Sequence, residues 1–200
     1  MRDAHLARAR AVIFDMDGTL TRPSLDFDAV RREIGLPAHG RTPILEAMAQ
    51  MTPEARTAAE AIVCRHEELA ARSSELYDGA AEVLAAIRAC GIPVAVHTRN
   101  SRLSLETVFA RHGLEVDWAH AREDGPIKPA PDSVLTICAR FGVSPGDAWV
   151  VGDYLFDIQA GEAAGATTVL MIGDAPAPEY AGQADHVIRC LRELLALLGI

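Results

Sequence analysis

Two hundred residues, half of them hydrophobic and 24% charged, suit one globular domain with room for a small insertion and exclude a disordered chain. The formal charge of −9 argues against a nucleic-acid surface, which would carry a basic stripe, so an anionic ligand needs positive charge gathered locally. Four scattered cysteines, Cys64, Cys90, Cys138 and Cys190, form no Cys-x-x-Cys pair, which argues against a zinc ribbon and fits a reducing compartment.

Arg2, Arg8 and Arg10 precede Ala11–Phe14, an apolar run too short for a signal-peptide core, and no long apolar stretch follows. The expectation is a cytoplasmic protein with no membrane partner. Ala11–Asp15 (AVIFD) predicts a short buried strand ending in a polar turn. Residues 21–78 then show no strand pattern. They predict helices over Phe27–Ile34 and Pro53–Leu76, separated by Gly35-Leu36-Pro37 and His39-Gly40.

After this block a regular alternation follows. Helix is predicted over Ala80–Ala89, strand over Pro93–Thr98, helix over Ser101–His112 and a weaker strand over Val116–Ala121. Next come a helix over Asp132–Phe141, a strand over Ala148–Asp153, a helix over Phe156–Ala164 and a strand over Thr167–Ile172. A weaker strand, Asp185–Ile188, and a helix, Cys190–Leu198, close the chain. Gly91, Gly113, Gly142, Gly165 and Gly199 punctuate the helix ends. The pattern predicts an α/β fold: a Rossmann-like three-layer core with a mostly parallel sheet, formed by residues 1–20 and 79–200, interrupted by a helical insertion over 21–78.

The polar residues of interest fall at the C-terminal ends of these strands, where open α/β sheets bind ligands. The first strand runs into Asp15-Met16-Asp17-Gly18-Thr19-Leu20. Two aspartates at i and i+2 of extended chain point to one side, and their repulsion is relieved by a hard divalent cation such as Mg²⁺. A calcium loop of the EF-hand kind fits poorly, because Gly18 is fourth rather than sixth and follows a strand. The next tip carries Thr98-Arg99-Asn100, a hydroxyl and an amide ahead of a helix whose N–H groups suit an anion. Another carries Gly152-Asp153 and, four residues on, Asp157, for which helix capping is the structural alternative. Between these tips lies Lys128, the one lysine among 19 basic residues.

Together these residues resemble the four motifs of the haloacid-dehalogenase-like hydrolase superfamily, in order and spacing over nearly the whole chain. Asp15 to Leu20 resemble motif one, Thr98 motif two, Lys128 motif three, and Gly152-Asp153 with Asp157 motif four. The insertion resembles that superfamily's type-one helical cap, and the nearest branch is that of phosphoglycolate phosphatase and β-phosphoglucomutase. The resemblance implies a Mg²⁺-dependent phosphatase acting on a small phosphorylated metabolite through an aspartyl-phosphate. Asp15 is then the nucleophile and Asp17 the acid/base. Lys128 neutralises the nucleophile and phosphoryl group. Asp15, Asp17 (through its carbonyl), Asp153 and Asp157 serve the metal; Thr98, Arg99, Asn100 and Gly18 hold the phosphoryl oxygens. The alternative is a phosphomutase using the same intermediate, and a third reading is a non-catalytic binding module.

Two positions depart from the pattern: Tyr154 where a small polar residue is common, and Arg99 where asparagine is frequent. Asp17 argues against dehalogenation, and the absence of lysine from 21–78 argues against Schiff-base phosphonatase chemistry. Within the insertion, Arg22 and Arg41 are candidate specificity residues. Arg31, Arg32, Arg56, Arg65 and Arg72 are expected on solvated helix faces, and His66 and His97 in ordinary core or surface roles. The chain is expected to be a monomer or homodimer.

Overall fold

The computed structural model describes residues 9–200; Arg2 and Arg8 lie outside them. Six strands, β1 (Ala11–Phe14), β2 (Val94–His97), β3 (Trp118–His120), β4 (Ala148–Gly152), β5 (Thr167–Met171) and β6 (His186–Ile188), form one sheet in the order β3-β2-β1-β4-β5-β6. Every strand pairing is parallel, so the sheet is wholly rather than mostly parallel.

Alternation along each strand feeds two apolar layers. Val12, Phe14, Val94, Val96, Trp149 and Val151 face helices α4 (Ala80–Ala89), α5 (Arg102–His112) and α8 (Leu191–Leu198). Ala11, Ile13, Ala95, Ala148 and Val150 face α6 (Asp132–Phe141) and α7 (Leu155–Ala164). Helices on both faces of a parallel sheet give the three-layer α/β architecture that the strand–helix rhythm predicts. The chain winds outward in opposite directions from the β1–β4 pair, so their C-terminal ends flank the crevice where such sheets bind ligands.

Residues between β1 and α4 supply three helices: α1 (Phe27–Glu33), α2 (Ile44–Met48) and α3 (Pro53–Ser73). The short α2 is not predicted by periodicity; five residues are too few to show it. Thr52 caps α3 by accepting from Ala55 N–H, with Pro53 in the first turn. The helix stops at Ser73, short of the predicted Leu76, because Ser74 turns its N–H and hydroxyl onto the Ala71 carbonyl and Leu76 bridges to Thr21. Val30, Met48, Ala59 and Val63 form an apolar cluster separate from the two against the sheet. Arg31, expected on a solvated face, is instead buried: its guanidinium donates to the Thr42 carbonyl and lies under Gly40. Among the described residues no helix is long and apolar enough to cross a membrane.

Candidate active site

Asp15 leaves β1 with its N–H bonded to the Val151 carbonyl at 2.8 Å, which ties it to the end of β4. The next residues fold back on themselves, Leu20 and Thr21 both donating to the Met16 carbonyl. Inside this loop the Asp17 carboxyl accepts from Thr21 Oγ1 at 2.8 Å and from the Asn100 side-chain amide. Gly18 has φ of +87°, and a Cβ there would collide with the Asp153 carboxylate. A Cβ on Gly152 would likewise collide with Asp157. Gly18 therefore sets how closely the two acidic loops approach, and Gly152 lets Asp157 fold back over the end of its own strand.

Lys128 comes in from the segment that follows β3. Its buried ammonium donates to Asp15 Oδ1, to Asp157 Oδ1 at 2.6 Å and to the His97 carbonyl at 3.1 Å. Three protons meet three acceptors around one nitrogen, a geometry that an ammonium supplies and a planar guanidinium does not. Beside it, Asp15, Asp153 and Asp157 bring one carboxylate oxygen each within 4.8 Å of the others. Asp157 also accepts from Tyr154 N–H at 3.1 Å, so it caps α7 and pairs with Lys128 at once.

Crowding buried carboxylates disfavours their charge. Burial pushes the Asp15 carboxyl well above the usual range, with Asp157 and Asp153 adding to the rise and Lys128 opposing it. Asp153 is pushed up to about 7, by burial first and by the Asp157 charge second. Asp17 is raised by burial against the hydrogen bonds from Thr21 and Asn100. Burial works against the Lys128 ammonium, yet the Asp15 and Asp157 charges outweigh it and raise its pKa. Burial, with Lys128 and His120 adding to it, holds the His97 imidazole well below its usual value.

Thr98 is buried at the rim, accepting from Asn100 N–H at 3.1 Å. Arg99 and Asn100, on the lining of the cavity, have their side chains engaged by other partners. The Asn100 amide is taken by Asp17. The Arg99 guanidinium grips both carboxylate oxygens of Glu46 on α2 at 2.7 Å, donates to the Lys128 carbonyl, and lies 4.6 Å from the Phe156 ring centroid. A second link runs from α3: the buried Glu67 accepts from Arg122 at 2.5 and 3.1 Å and from Ser101 N–H at 3.0 Å. Neither Glu46 nor Glu67 carried a sequence signal. An acid on an otherwise apolar helix face is a hint that only a known partner makes readable.

A cavity of about 530 Å³ opens over the acidic cluster. Phe27, Tyr154 and Phe156 give it aromatic walls, and Arg41 lines it without a hydrogen-bond or ion-pair partner among the described residues. Arg22 is not on this lining; it faces Asp78 at 3.4 Å and the Tyr77 ring.

The family model for haloacid dehalogenase-like hydrolases matches residues 9–165, which takes in every acidic residue of this cluster. The chain belongs to the haloacid dehalogenase-like hydrolase family. A haloacid dehalogenase-like hydrolase domain-containing protein of Arabidopsis thaliana is 33% identical over 174 residues, covering 82% of this chain and 71% of its own length. N-acetylmuramic acid 6-phosphate phosphatase of Pseudomonas aeruginosa is 30% identical over 220 residues, covering 96% of this chain and 95% of its own. Among solved structures, a hydrolase from Pseudomonas syringae superposes with a TM-score of 0.81 over 95% of this chain and 98% of its own, at 20% identity. This haloacid dehalogenase-like hydrolase thus brings three strand-end clusters and the loop lysine Lys128 to one point.

Proposed function

We propose that this hydrolase is a Mg²⁺-dependent phosphatase that cleaves a phosphorylated metabolite through an aspartyl-phosphate on Asp15. The observation that carries the reading is the division of labour between two neighbouring carboxyl groups. Asp15 is paired with the Lys128 ammonium beside two further acids, whereas Asp17 is held apart from that charge by hydrogen bonds from Thr21 and Asn100. Such paired environments suit one carboxylate to attack and the other to carry a proton.

In this reading an Asp15 oxygen bonds to phosphorus as the ester P–O bond breaks, and Asp17 gives its proton to the departing oxygen. Asp17, now ionised, takes a proton from the water that attacks phosphorus, which returns Asp15 and releases phosphate. Lys128 holds the Asp15 carboxylate in its attacking orientation and balances charge on the phosphoryl oxygens. Thr98 offers its hydroxyl to the phosphoryl group, Asn100 orients Asp17, and Arg99 braces the loop between them against α2.

Asp15, Asp153 and Asp157 fit a hard divalent cation. They are oxygen donors clustered within 4.8 Å, and Lys128 alone does not neutralise them. Together with the Asp17 carbonyl they would hold Mg²⁺, which supplies charge stabilisation to the transferred phosphoryl group. The helical segment 21–78, with its own apolar cluster, is read as a cap over the core formed by 1–20 and 79–200.

The cavity volume bears on the substrate. At about 530 Å³ it lies within the range of pockets that hold drug-sized ligands, above what a two-carbon phospho-acid of about nine non-hydrogen atoms needs. A ring-bearing sugar phosphate fills it better, with a ring face on the aromatic walls and an anionic group at Arg41. The substrate named for the Pseudomonas aeruginosa relative, N-acetylmuramic acid 6-phosphate, is of this kind.

The test is phosphate release from a panel of sugar phosphates and short phospho-acids, with and without Mg²⁺. Turnover of the sugar phosphates that is lost on chelation and in Asp15→Asn is expected. Metal-independent turnover, or a fully active Asp15→Asn, refutes the reading. Recovery of an isomer in place of free phosphate selects the phosphomutase alternative.

A further inference from the structure

His97 is the one buried titratable group beside the cluster that the proposed chemistry leaves unused. It ends β2 at 1% exposure, and its carbonyl accepts from Lys128. Its ring reaches in two directions. Nδ1 lies 3.1 Å from Ser133 Oγ on α6, and Ser133 Oγ has no other hydrogen-bond partner among the described residues. Nε2 has no hydrogen-bond partner and lies 3.7 Å from Asp157 Oδ1.

That second distance is beyond a hydrogen bond, but close enough for the direction of a dipole to matter in a buried site. A neutral imidazole carries one N–H and one lone pair, and the partner of one nitrogen fixes the other. If Ser133 donates to Nδ1, the Nε2–H faces the Asp157 carboxylate. The opposite tautomer aims a lone pair at a carboxylate oxygen, with no water-sized exposure to soften the repulsion. The Ser133 hydroxyl is free to donate, so the first arrangement bonds Nδ1 and turns the Nε2–H dipole favourably toward the Asp157 charge.

We infer that His97 is a positioning residue: Ser133 holds it as the Nε2–H tautomer, which steadies Asp157 and, through Asp157, the bound Lys128 and the neighbouring acids. Asp157 thereby accepts two hydrogen bonds, from Tyr154 N–H in its own helix cap and from Lys128 in the segment after β3, while the His97 Nε2–H faces it from β2 at 3.7 Å. The metal-related half of this inference rests on the reading of Asp15, Asp153 and Asp157 as a divalent-ion site; the tautomer does not.

The experiment combines two measurements on the full chain. Ring ¹⁵N shifts at neutral pH report which His97 nitrogen bears hydrogen, and Mn²⁺ titration of the metal-free protein reports the cluster without reference to turnover. The wild type is expected to show Nε2–H. His97→Leu is expected to weaken Mn²⁺ binding about tenfold or more, the usual effect of removing a partner behind a ligand. His97→Gln, whose amide can donate, recovers most of the loss, a rescue that packing alone does not produce. An Nδ1–H tautomer in the wild type, or Mn²⁺ affinity unchanged in His97→Leu, overturns the inference. Should His97→Leu not fold, Ser133→Ala decides, since both the ¹⁵N pattern and the Mn²⁺ affinity must shift in it. Absence of Mn²⁺ binding by the wild type strikes the divalent-ion reading itself, leaving the ¹⁵N result to judge the tautomer alone.

Discussion

The strand tips and the helical segment 21–78 are built on opposite terms. At the tips, short strands bring Asp15, Thr98, Asp153 and Asp157 together with Lys128 from the segment after β3, and most side-chain polar atoms there already have a partner. The helical segment faces the same cavity with Leu25, Phe27, Val30 and Ile44, and its Arg41 has no partner among the described residues. A knot of mutually paired polar groups tolerates little rearrangement, so it suits chemistry that must not vary. A mostly apolar wall with a spare charge leaves room for change, so it suits the choice of substrate. The two are stitched by Arg99–Glu46 and Arg122–Glu67.

If this contrast is right, damage at the tips should fall on turnover and damage on the wall should fall on affinity. The largest effect is expected for Asp15→Asn, which loses the nucleophile; steady-state assays should show kcat down by about 10⁴-fold or more. Lys128→Arg preserves charge but not the three-way geometry, and kcat should drop by about 10²–10³-fold with the circular dichroism spectrum unchanged. Near-normal turnover in that variant would dissolve the contrast from the tip side.

The stitches are tested by stability. Glu67→Ala leaves Arg122 and the Ser101 N–H without their buried acceptor, and denaturant unfolding should show a loss of about 3–5 kcal/mol. A wild-type unfolding curve would mean the helical segment is not held where it lies. On the wall, Arg41→Ala should raise KM about tenfold for phosphate esters bearing a second anion while leaving kcat in place. An equal fall in kcat would assign Arg41 to the chemistry instead.

The smallest effect is in pH. Asp153 binds its proton more tightly in the folded chain, about 7 against an ordinary 3.8. The folded state therefore holds more protons than the unfolded one across that window, so stability is fully present below it and declines as pH rises through it. Metal-free protein should melt at a lower temperature at pH 8 than at pH 5, and Mg²⁺ should reverse the order by binding the ionised acids. A melting temperature independent of pH would show that the carboxylates are not crowded in solution.

How far the sequence carries this picture follows the same contrast. The strands were legible because AVIFD, PVAVHT and AWVVGD are short, apolar and end in polar turns, and the helix after each is closed by glycine. That Asp15, Thr98 and Asp153 lie together was legible because a parallel sheet aligns its strand ends, whereas Lys128, in a loop, was joined to them only by the family resemblance. What was not legible depends on contacts between distant segments. Arg99 reads as an anion ligand until Glu46 is found 53 residues away to take it. Arg31 reads as solvated until the Thr42 carbonyl and Gly40 close over it. His97 looks like one more buried ring until Ser133 and Asp157 appear on either side. In each case the side chain's own segment says nothing of its partner, and α2 is too short to announce itself.

Lys128 has one more consequence, for the bench rather than for the mechanism. It is the only side-chain amine in these 200 residues, and it lies at the bottom of the cavity. An amine-directed reagent therefore meets no competing lysine on the surface, so the label found on Lys128 reports how often that floor is reached with the amine released from Asp15 and Asp157. Followed over time by mass spectrometry, with and without a candidate substrate, this single residue serves as a built-in probe of site opening that needs no engineered tag.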